Sequence, residues 1–110
     1  MSDELELSKE LLDAYERTVS EKILLFEKLI QDLRKEQTKP NLEALHFLVH
    51  KISGSAAFYG YQAVSSICQE WDIKLLKKID RFPNEERLSL EELDLLLLKV
   101  KTGFNRNEKK

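Results

Sequence analysis

The chain contains two histidines, His46 and His50, four residues apart in a segment rich in small and aromatic side chains. Imidazole can serve as nucleophile, acid–base group or metal ligand near neutral pH, where its charge changes. The i, i+4 spacing would let both rings reach one metal ion along a helix face. No third ligand can be identified and no HExxH pattern occurs, so no metal site is expected. His46 reads as a flanking surface residue. Paired catalytic carboxylates, a nucleophile elbow and a phosphate-cradling glycine loop are not found either. Cys68 is single, which excludes an internal disulfide, and its neighbours Val64, Ile67 and Trp71 predict a buried, inert thiol. His50 differs from an ordinary surface histidine in its small neighbours: Gly54 one turn on, then Ser55, Ala56 and Ala57.

The helix that must carry these residues runs from about Asn41 to Tyr59, after a break at Gln37–Asn41 whose Pro40 suits a helix start. Leu45, Leu48, Val49, Ile52, Ala56 and Tyr59 share a stripe of roughly 100° on its surface. With Leu45 at zero, His50 falls at roughly 140° and Gly54 at roughly 180°, so both point away from the core stripe. Ala57 and His46 lie near this side, with Phe47 and Phe58 at its other edge. A solvated face normally carries Lys, Glu, Gln or Arg. A mid-helix glycine also costs about 1 kcal/mol relative to alanine, but it allows another backbone to approach the ring closely. The face therefore suits docking of a partner that must touch an imidazole. Phe47 and Phe58 could anchor that partner or could pack under the first helices.

Helical periodicity extends over the rest of the chain. A first segment covers about Leu7 to Arg17, and a second, Val19 to Glu36, comes after an expected capping box of Thr18 and Glu21. Whether these are two helices or one bent helix stays open. Gly60 ends the His50 helix, and a fourth segment, about Gln62 to Ile79, carries Val64, Ile67, Cys68, Trp71, Leu75 and Ile79 on its apolar side. After a break at Arg81–Asn84, Ser89 and Glu92 form a capping box with a Leu88–Leu93 staple, opening a well-buried last helix from Leu90 to about Lys101. These segments predict an all-α fold, an antiparallel four-helix bundle with a short additional N-terminal helix, as one domain over residues 1–110.

Composition agrees with that class. Hydrophobic residues form 42% and charged residues 35% of the 110, a globular balance, and 3 Gly with 2 Pro leave little turn chemistry for a β protein. A net charge of -2 offers no footprint for nucleic acid, and the basic tail (Arg106, Lys109, Lys110) is short. The longest apolar run, Leu95–Leu98, is too short to span a bilayer, and the acidic start MSDELELSKE does not read as a signal peptide. A cytoplasmic monomer is the expectation.

The stretch His50-Lys51-Ile52-Ser53-Gly54-Ser55-Ala56-Ala57-Phe58-Tyr59-Gly60-Tyr61 resembles the signature of bacterial histidine-containing phosphotransfer (HPt) domains. In that family a phosphorylatable histidine is followed by an aliphatic residue at +2, glycine at +4, small residues at +5 and +6, and glycine near +10. Ile52, Gly54, Ser55, Ala56 and Gly60 meet these positions. Many members carry lysine at +3, where this chain has Ser53, so the charge-neutralising role of that lysine is not transferred; Lys51 stands at +1.

The resemblance implies that His50 accepts a phosphoryl group as a neutral imidazole and passes it between receiver-domain aspartates in two-component signalling. Its partners would be a response-regulator receiver domain and a hybrid sensor kinase. It implies no intrinsic cofactor; Mg²⁺ would reside in the receiver. With no ATP site, the module would carry phosphohistidine without autokinase activity. Phe47, Lys51, Gly54, Ala57 and Phe58 would face the partner. The hairpin about Gly60 and Tyr61 brings residues near 70 to 72 alongside His50, which leaves Gln69 and Asp72 as candidates to take the ring's Nδ1 proton. An acidic or amide group contacts the histidine at the matching position in related modules, which favours Asp72. The alternative function is a helical adaptor that binds a receiver or another signalling partner without carrying phosphate.

Overall fold

A computed structural model describes residues 8–83 and 86–105 of the chain. They form α1 (Lys9–Arg17), α2 (Val19–Lys35), α3 (Lys39–Phe58), α4 (Gln62–Asp80) and α5 (Leu90–Asn105), with no strand among the described residues. Leu7 of the expected first segment, Asn84 of the second break and the basic tail lie outside the described residues.

Local chemistry explains most helix ends. Thr38 caps α3, its side chain accepting from the Asn41 N–H at 3.2 Å, so the helix begins two residues before the expected Asn41 with Pro40 in its first turn. Gly60, at φ 91°, closes α3: the Tyr61 N–H reaches Ala56 O at 2.8 Å and the Gly60 N–H reaches Ala57 O at 3.1 Å, the paired bonds of a Schellman motif. The Ser89–Glu92 capping box forms in both directions, Ser89 N–H to Glu92 Oε2 at 3.2 Å and Glu92 N–H to Ser89 Oγ at 3.0 Å. The capping box expected at Thr18 does not form. Thr18 keeps helical angles (φ -94°, ψ -1°), and its hydroxyl donates backward to Tyr15 O at 2.7 Å. An N-cap needs an extended backbone to turn its oxygen toward the N–H groups ahead, and here α1 runs into α2 through this single residue.

The core lies where the helical stripes converge. Phe26, Ile30 and Leu33 of α2 meet Leu45, Val49, Ile52 and Ala56 of α3, Val64, Cys68, Trp71 and Leu75 of α4, and Leu93, Leu96, Val100 and Phe104 of α5. Each fully buried large side chain is worth about 1.5–3 kcal/mol. Tyr15 anchors α1, stacking on Tyr59 at 4.2 Å between centroids and sharing a hydrogen bond with Ser55 Oγ at 3.0 Å. Two connections are fastened together by Gln37, whose amide donates to Leu88 O at 2.6 Å and accepts from the Leu88 N–H at 2.9 Å.

The last helix departs from expectation twice. It continues to Asn105, which buries Gly103 and Phe104, and it is not buried all round, since Leu90, Leu95 and Leu98 are exposed. A run of leucines fills every angle of a helix, but a surface helix has one neighbour-facing side.

Gly103 permits the close approach of α5 to α4. A Cβ built there would stand 2.6 Å from Val64 Cγ2 and 3.4 Å from Val64 N. The β-branched neighbour is stiff about χ1. Gly103→Ala should therefore lower stability by about 1–2 kcal/mol despite its better helix propensity, read as a reduced midpoint in urea denaturation.

Candidate functional site

The site lies on the outer side of the α3–α4 pair. Because Leu45, Leu48, Val49, Ile52 and Ala56 turn inward, the opposite face of α3 presents His50, whose side chain is 70% exposed. Gly54 follows one turn later, and a Cβ placed on it would meet nothing within 4 Å. The chain's own packing thus does not require a glycine there. Phe47 (68% exposed) and Phe58 (64%) stand out from the fold on this helix, which settles their two possible locations in favour of solvent. Ala57 is half-buried beside them.

Asp72 on α4 reaches the ring. Its Oδ2 lies 2.8 Å from His50 Nδ1, while the other candidate, Gln69, turns away and donates to Ser65 Oγ at 3.3 Å. Gln69 sits almost one turn closer to the hairpin, alongside the crossing where buried Ser65 donates to Ser53 O at 2.8 Å. Ser53 Oγ is spent on its own helix, donating to His50 O at 2.9 Å, so it does not replace a cation beside the imidazole. Lys51 extends toward Phe47, with Nζ 6.0 Å from the ring centre, and lines a groove with Lys22, Tyr15 and Tyr59.

His46 belongs to the site, contrary to its reading as a flanking surface residue. Its Nε2 is 2.6 Å from Asp72 Oδ1, and its side chain is 24% exposed. The missed signal was geometric: a carboxylate that reaches one ring across the hairpin also reaches the ring one turn earlier on the same face. Ile73 and Leu76, exposed on α4, add apolar surface beside Asp72 that the α4 core stripe did not single out. Among the described residues no group of three or more His, Cys, Asp or Glu side chains is arranged to hold a metal ion.

Asp72 is the electrostatic centre of the site. The N–H of His50, with a further contribution from His46, holds the Asp72 carboxyl below the usual carboxylate range against the opposing effect of partial desolvation. An ionised carboxylate only accepts hydrogen bonds, so His50 Nδ1 and His46 Nε2 must be the donors. In neutral His50 the lone pair then sits on Nε2, on the open side of the ring. Cys68 carries no comparable reactivity, because burial pushes its thiol up to about 12.

Because the folded Asp72 carboxyl titrates below its unfolded value of about 3.9, its contribution to stability is fully present above that value and is lost as pH falls through the folded one. Asp72→Asn should destabilise the protein at neutral pH, and the gap to the parent chain should narrow in urea titrations below about pH 4.

One comparison with known proteins gives a match. No curated protein and no solved structure matches the chain. The family model described as Hpt domain matches residues 6–103, which span every helix but the last two residues of α5. With a reachable imidazole, a neighbouring carboxylate and that match over most of its length, the chain belongs to the Hpt domain family, the histidine phosphotransfer modules that work with receiver domains and kinases in two-component phosphorelays.

Proposed function

We propose that this module relays a phosphoryl group between receiver-domain aspartates through His50. The observation that carries the reading is the open imidazole whose Nδ1 is committed to Asp72 at 2.8 Å. In the accepting step, the Nε2 lone pair attacks phosphorus of an aspartyl phosphate. The N–P bond forms, the P–O bond breaks, and the electron pair leaves on the receiver's carboxylate. Positive charge develops on the ring, which keeps its Nδ1 proton, and the ionised Asp72 stabilises that charge. In the donating step the aspartate carboxylate of the next receiver attacks phosphorus, the O–P bond forms, the N–P bond breaks, and the ring departs as the neutral Nδ1–H form.

Phosphoryl transfer asks mainly for positioning and charge stabilisation. The receiver would supply Mg²⁺ and the acidic pocket, and this chain the aligned nucleophile. Phe47, Lys51, Gly54, Ala57 and Phe58 form the surface on which the receiver settles, with Gly54 leaving room for it to reach Nε2. The ion pairs Glu27–Lys101 and Arg34–Asp94 between α2 and α5 support an antiparallel bundle beneath that surface. Residues 27 and 34 ascend as their partners, 101 and 94, descend. A cytoplasmic monomer suffices for such a relay, since one exposed imidazole needs no second copy.

Incubation with a phosphorylated receiver should place acid-labile, base-stable label on the chain, and His50→Gln should abolish it. Tight binding to receivers without any label would favour the non-phosphorylated adaptor. Gly54→Ala should leave the fold intact and raise stability by about 0.5–1 kcal/mol. A longer side chain, Gly54→Gln, should slow transfer from a receiver far more than labelling by the small donor phosphoramidate.

A further inference from the structure

One carboxylate serves two imidazoles at this site. Asp72 Oδ1 accepts from His46 at 2.6 Å and Oδ2 from His50 at 2.8 Å. The rings lie 6.0 Å apart between centroids, tilted by 32°, so they meet the carboxylate side by side rather than stacking on each other. Their surroundings differ. His50 is 70% exposed and His46 only 24%, so water competes much less for the His46 bond. The terminal torsion of an aspartate is broad and two-fold, and one exposed contact does little to hold it.

We propose that His46 is a positioning residue for the phosphoacceptor, its Nε2–H fixing the rotation of the Asp72 carboxylate so that Oδ2 meets His50 Nδ1. This rests on the reading of His50 as the phosphoacceptor. His46 does not touch the reacting atoms. It acts through Asp72: with Oδ1 tethered, the second oxygen has a defined direction, and the His50 proton is drawn to Nδ1. That leaves the lone pair on Nε2, where a docking partner can meet it. Donation from His46 also favours the ionised carboxylate, so the Nδ1 proton stays on His50 when the ring becomes positive. Short, charge-assisted contacts of this kind are the stronger class of hydrogen bond.

The test compares His46→Leu, which removes the donor, with His46→Gln, whose side-chain amide can donate from about the place of Nε2. Long-range ¹⁵N spectra of the unphosphorylated protein in mildly alkaline buffer report the His50 tautomer directly. The parent chain and His46→Gln should hold the Nδ1–H form, while His46→Leu should shift toward the Nε2–H form. Labelling by phosphoramidate should slow by about 3- to 10-fold in His46→Leu, the loss of one such hydrogen bond, and recover in His46→Gln. An unchanged His50 tautomer in His46→Leu overturns the proposal, as does equal impairment in the two variants. If phosphoramidate labels His50 in none of the proteins, the phosphoacceptor reading fails, and the tautomer spectra alone then decide whether His46 positions Asp72.

Discussion

The register between α3 and α4 is the constraint on which the site depends. An imidazole and a carboxylate 22 residues apart in sequence meet at 2.8 Å only if the two helices neither slide nor rotate. Three features hold that register. Gly60 takes the left-handed turn that side chains resist, the Ser65 hydroxyl grips Ser53 O across the crossing, and the buried faces of both helices share one core. A slip of one residue would turn a helix by about 100° and carry Asp72 away from both rings.

The outward face of α3 gains its character from what the fold does not ask of it. Gly54 occupies open space, and Phe47 and Phe58 are left in water although apolar partners lie elsewhere in the molecule. Isolated exposed apolar residues are ordinary, but here they flank a bare histidine. Neither packing nor helix propensity selects these residues.

Much of this was legible in the sequence, and the failures have physical causes. The 3.6-residue period marks the inward stripe of α3, and the outward direction of His50 comes with it. Hairpin arithmetic narrows the partner to Gln69 or Asp72, but the distance to each depends on the tilt of two helices, which residue spacing does not encode. The pattern of Thr or Ser with Glu three places on occurs at Thr18 and at Ser89, yet only the second is a cap. The difference lies in backbone angles that the tertiary packing of α1 and α2 sets. In α5 the leucines give no phase, so the burial of Leu93 and Leu96 and the exposure of Leu95 and Leu98 come from the neighbours. The role of His46 depends on Asp72, which comes from another helix and so does not stand beside the two histidines in the sequence.

Cys68 gives the module a further property. Its sulfur is sealed in the core, and burial raises its thiol to about 12. Oxidants and electrophiles react with thiolate, a form that is scarce here at any physiological pH. Imidazole and thiol are both intrinsically nucleophilic, and the fold leaves only the imidazole within reach of other molecules. The two kinds of nucleophile are thus separated by depth: the thiol is held inside the packing and the imidazole outside it.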